Sequence, residues 1–147
     1  MERKEMDYRI HRSLTELRGT NYMEICPGKY SKKHWQDGSL FVSDREFGLA
    51  EGIVAKHFAA YDHFAMNDVP KDIGQKITAE WAHTAVLLEQ MASGQIARVL
   101  NLDESSFRYE DSEIENHKPD ITDLLRSLAV ACDAFYLKED WICILGM

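Results

Sequence analysis

Hydrophobic positions along this chain switch between two periods, and the switch predicts the elements. NYMEIC (21–26) alternates polar and apolar residues up to the Pro27-Gly28 breaker. SLFVS (39–43) follows the turn signal Asp37-Gly38. Both read as short strands. RSLTELRG sets Ser13 three residues before Glu16, with Gly19 as a stop. That capping-box pattern predicts a helix of about two turns.

From Ser43 the period becomes helical. Ser43 and Glu46 form a second capping box, and Val42 and Phe47 sit where a hydrophobic staple would lie. Phe47, Ala50, Ile53, Val54, Phe58, Tyr61 and Phe64 or Ala65 follow at helical spacing, predicting one helix to about Met66, ended by Asn67-Asp68. Gly48 and Gly52 share one face of it, and each costs about 1 kcal/mol in a helix relative to Ala. Such a face is expected to admit another backbone. Pro70 suits the first turn of a second helix with the stripe Ile73, Ile77, Trp81, Thr84 or Ala85, Leu88 and Met91, stopped by Ser93-Gly94. QIARVLNL (95–102) predicts a short helix. Pro119-Asp120 opens the clearest stripe: Ile121, Leu124, Leu125, Leu128, Cys132, Phe135 and Tyr136. After a turn at Lys138-Glu139-Asp140, the apolar run WICIL (141–145) predicts a buried strand. The expectation is a single α+β domain over residues 1–147, with three to five helices packed on a small sheet of about three strands.

Composition sharpens this in a few respects. A chain of 147 residues, 45% hydrophobic and 29% charged, is an ordinary single globular domain. No window approaches 18 consecutive apolar residues, so no membrane span is expected. The opening MERKEMDYRIHR has no apolar stretch, so a secretory signal is not expected either. Cys26, Cys132 and Cys143 show no CxxC spacing and fit free thiols in a reducing, cytoplasmic compartment.

The net charge is −8, unevenly spread. Residues 1–33 carry eight Lys/Arg against five Asp/Glu, whereas DESSFRYEDSEIENHKPD (103–120) carries seven acids against Arg108 and Lys118. The second stretch reads as a long acidic loop, near 103–119, either a solvated connection or an arm that steers a basic partner. Within it Glu110, Asp111, Glu113 and Glu115 are candidate partner-binding residues, and Phe107 and Tyr109 are candidate apolar contacts. Trp35, in the wholly polar setting KKHWQDG, either folds back on its own domain or serves as a further contact anchor.

Catalytic chemistry finds little support. Glu80-x-x-His83 has the i, i+3 spacing of helical di-iron sites, and His57 lies on the preceding helix. These three residues define the alternative reading, a small cytosolic enzyme or metal-binding protein. Against it, Glu51 and Glu89 fall at no matching spacing, and His57 and His63 face about 120° apart on a helix. No HExxH or Cys/His zinc pattern is present. The favoured expectation is therefore no metal ligand and no cofactor, with His57 at the core edge and His63 exposed. There is no GxSxG elbow, and Cys132 and Cys143 lie in apolar patterns, which leaves Cys26 as the one candidate nucleophile. Phosphate-binding loops are absent as well. The basic N-terminal third, with Tyr22, Tyr30 and Trp35 among its lysines and arginines, is weakly charged beside the acidic remainder, so no nucleic acid is expected as a partner.

A small, acidic α+β chain with no catalytic constellation resembles the immunity proteins encoded beside polymorphic or contact-dependent growth-inhibition toxins. The acidic connection DESSFRYEDSEIENHKP and an amphipathic helix leading into WICILGM add to that character. The resemblance spans the whole chain in character and rests on no motif, so no residue role carries over from it. It implies a non-catalytic protein that binds and neutralises a cognate toxin domain, and the acidic stretch makes a basic, nuclease-like toxin domain the expected partner.

Overall fold

The computed structural model describes residues 6–91 and 93–146. Four strands form one antiparallel sheet: β1 (Tyr22–Pro27), β2 (Leu40–Ser43), β3 (Met66–Pro70) and β4 (Trp141–Leu145), in the order β2-β1-β4-β3. Among the described residues five helices accompany it: α1 (Asp44–His57), α2 (Lys71–Leu88), α3 (Ser93–Val99), α4 (Asp111–Asn116) and α5 (Lys118–Tyr136). The chain is thus an α+β domain, with four strands where the sequence suggests about three.

Alternation along the strands separates two faces. Met23, Ile25, Leu40, Val42, Val69, Ile142 and Ile144 point into the main core, where Phe47, Trp81, Leu124 and Leu128 of the helices meet them. Trp81 is wholly buried, and its indole N–H donates to the carbonyl of Ala50 at 3.0 Å, which joins α2 to α1. On the opposite face Cys26, Cys143 and Leu145 form a small cluster under Tyr30. A loop covers this face instead of a helix. It is fastened by Tyr30 N–H to Asp68 (2.7 Å) and by the amides of Trp35 and Gln36 to the buried Glu24 carboxylate (2.6 and 2.9 Å).

Several boundaries differ from the sequence reading. The first long helix stops at His57 rather than about Met66, because the chain reverses through 58–65 and continues as β3. MNDVP escapes detection because one of its two inward residues is Asn67, whose side-chain amide donates to the Ile144 carbonyl at 3.0 Å. Ser93-Gly94 opens α3 instead of ending α2, which stops at Leu88. The helix expected after Ser13 is one 3-10 turn, Leu14–Glu16, because the Glu16 carboxylate turns to His11 (3.1 Å). Ser43 does flank α1, but it makes no side-chain cap, and Glu46 accepts from the Asp7 amide instead.

The acidic stretch is not one open loop. It contains a 3-10 turn at Leu102–Glu104, an extended run and then α4, which leads straight into α5. The three cysteines are buried and unpaired, and burial pushes each thiol up to about 12. That removes the thiolate character a nucleophile at Cys26 would need. Among the described residues, no helix is long and apolar enough to cross a membrane.

Candidate functional site

The acidic stretch is seated on α1 through the two glycines. A Cβ at Gly48 would overlap Tyr109 Oη and the Phe107 ring, and one at Gly52 would overlap the backbone of Leu100 and Asn101. The bare face of α1 therefore lets residues 100–109 lie directly on it, as expected for glycines four apart. Tyr109 donates to the Arg45 carbonyl (2.5 Å), and Arg45 reaches both oxygens of Glu113 at 3.1 Å. The Arg45 guanidinium also stands 5.1 Å from the Tyr109 ring centre, a cation–π contact that helps seat α4.

Beneath this shoulder lies a buried carboxylate. Glu51 has no exposed surface, yet it receives four donors: Tyr61 Oη at 2.7 Å, His63 Nδ1 at 2.5 Å, Ser105 Oγ at 3.2 Å and the Ser106 amide at 2.5 Å. Burial raises its carboxyl pKa, but hydrogen bonds from His63, the Ser106 amide and Tyr61 outweigh burial and hold it below the usual carboxylate range. Burial, reinforced by the same charge, drives the Tyr61 phenol upward. Two chain reversals, 61–63 and 105–106, are thus clasped to one side chain. His63 sits between them, its ring 4.8 Å from Phe64 and 5.3 Å from Phe107.

The candidate contact residues separate into two groups. Glu110, Asp111 and Glu115 are exposed and, among the described residues, make no ion pair. Phe107, Tyr109 and Glu113 are half-buried, and their contacts hold the exposed acids in place. Trp35 lies elsewhere, half-buried on the loop-covered face of the sheet and stacked on Phe41 at 5.6 Å. From the sequence Arg45 draws no role, Glu51 is set aside as a metal ligand, His63 is expected exposed and Phe64 is placed on a helical stripe. A glutamate next to a glycine inside an otherwise buried helical run was the signal available for Glu51.

The alternative site assembles only in part. His57 Nε2 meets Glu80 at 2.8 Å, but Lys56 already takes both Glu80 oxygens at 2.9 and 3.0 Å. Burial acts upward on Glu80, and the contacts with Lys56 and His57 prevail, holding its pKa low. His83 is exposed and lines a shallow groove of about 430 Å³ with Lys56, Glu80, Thr84 and Arg98. Among the described residues, no three His, Cys, Asp or Glu side chains lie together where they could hold a metal ion. His63, expected to be exposed, is buried because Glu51 draws it in. Compared with known proteins, the chain matches no family model, no curated protein and no solved structure.

Proposed function

We propose that this chain is a non-catalytic binding protein that engages and neutralises a basic protein partner, in the manner of an immunity protein facing a nuclease-like toxin domain. The observation that carries the reading is the division of labour in the acidic stretch. Arg45, Tyr109 and Glu113 fix α4 on α1, while Glu110, Asp111 and Glu115 point to solvent unpaired among the described residues. Beyond the roughly 0.3–1 kcal/mol that Glu110 and Asp111 each gain at the N-terminus of α4, unpaired acids give the fold little return, since surface pairs are worth about 0–1 kcal/mol even when made. A basic partner turns the same charges into faster encounter and into exclusion of phosphate from its own site.

The test is capture of a partner with the intact chain as bait, followed by association kinetics across salt concentrations. The triple variant Glu110→Lys, Asp111→Lys, Glu115→Lys is expected to lower its melting temperature only slightly, through the N-terminus of α4, while associating more slowly and with a flattened salt slope. Glu113 is left intact because its carboxylate holds Arg45. Unchanged association and salt slope would overturn the reading.

A further inference from the structure

The two edges of the sheet are treated differently. On β2 the outward backbone of Phe41 is covered by the chain itself: His11 N–H donates to Phe41 O at 2.8 Å, and Phe41 N–H donates to His11 O at 2.9 Å. That strap is pinned by His11, whose ring nitrogens face Asp7 at 2.6 Å and Glu16 at 3.1 Å. At the other edge β3 has no such cover. The bonds Gly146 N–H to Ala65 O and Lys71 N–H to Asp140 O continue the β3–β4 ladder at both ends. They fix its phase, so Ala65, Asn67, Val69 and Lys71 turn their backbone toward β4, while Met66, Asp68 and Pro70 turn theirs outward. Among the described residues nothing hydrogen-bonds to the backbone of Met66 or Asp68 from that side.

The open edge is also fastened by side-chain hydrogen bonds and flanked by exposed apolar surface. Asn67 fastens it by donating to Asp62 O, Ala65 O and Ile144 O, and by accepting from the Asp62 amide. At its start Phe64 is 71% exposed and Met66 47% exposed. Phe64 leans on His63, which the buried Glu51 holds, and Phe107 packs on the same imidazole. A fully buried carboxylate is thus committed to fixing the loop that presents Phe64 at the start of an unpaired edge, with Phe107 packed behind it on the same imidazole.

We infer that the open edge of β3 is a strand-docking site for an extended, basic segment of the partner protein, with the exposed Phe64 as its apolar anchor. Main-chain groups of Met66 and Asp68 supply the pairing, and alternate side chains of the incoming strand meet Phe64 and Asp68. Local charge favours a basic strand: across 61–72 Asp62, Asp68 and Asp72 stand against Lys71 alone. A second copy is disfavoured. Pairing over the whole edge would set Asp68 against its own counterpart and Met66 against Pro70, which has no N–H.

This inference rests on the binding reading above but concerns a different set of residues, so the two are separable. The probe is an end-capped peptide of alternating lysine and valine, with a glutamate–valine peptide of equal length as control. Amide exchange is followed by NMR on the intact chain. The lysine peptide is expected to slow exchange at Met66 and Asp68, and the glutamate peptide to leave both fast. Phe64→Ala, at an exposed position that leaves the fold intact, is expected to weaken the lysine peptide about tenfold or more. Met66→Pro, which deletes an outward N–H without touching the ladder to β4, is expected to do the same. Unchanged exchange at both amides, or equal protection by the two peptides, would overturn the docking site. If the α4 charge-reversal variant loses its partner while Phe64→Ala and Met66→Pro keep it, the edge fails and the acidic surface stands.

Discussion

A carboxylate withdrawn from water costs several kcal/mol unless donors replace its lost hydration, and Glu51 has four of them. Because its folded pKa lies below the unfolded value, the charged form is favoured by folding. The resulting stability is fully present above the ordinary glutamate value of 4.5 and is lost as the pH falls through the depressed folded value. Asp7 and Glu80, held low by their own partners, act in the same direction. Glu51→Gln is therefore expected to lower stability near neutral pH by about 1.5–3 kcal/mol, because hydrogen bonds to a charged carboxylate become weaker bonds to a neutral amide. It should also flatten the acid limb of the profile below pH 4.5. Urea unfolding of both proteins across pH measures this, and parallel acid limbs would show that Glu51 is not the group responsible.

Arg45 plays the corresponding part for an element. It stands in the first turn of α1 and holds α4 by its bond to Glu113, by its carbonyl to Tyr109, and by cation–π contact with the Tyr109 ring. Its side chain is partly exposed, so the ion pair itself is worth no more than about 1 kcal/mol. Arg45→Ala should leave the melting temperature almost unchanged while amide exchange across 107–116 speeds up, because only the shoulder loosens. Uniform exchange through that segment in both proteins would mean that the glycine face alone seats it. The glycines were readable from sequence, since two helix-weakening residues on one face need a packing reason. So were α2, α5, β1, β2 and β4, whose apolar periods are long or clean. The clasp beneath the shoulder was not readable, because Glu51, His63 and Ser105 are far apart in the chain and polar in type. Nor was β3, where Asn67 takes an inward position and side-chain hydrogen bonding stands in for apolar burial.

For the whole molecule, the strand order carries a consequence for how the chain is made. β4 lies between β1 and β3, so neither of those strands can complete its pairing until residues 141–145 have been synthesised. At about 5–20 residues per second, β3 waits several seconds after leaving the ribosome before its first neighbour exists. During that interval both of its edges are unsatisfied, and afterwards only one is. Its brevity, Asp68 and the terminal Pro70 then work as safeguards against mispairing in the nascent chain, before any partner is met. A chain stopped before Trp141 should accordingly show no cooperative urea transition by far-ultraviolet circular dichroism, despite retaining every helix sequence. Helical segments would form and dissolve locally, with the central slot of the sheet left empty.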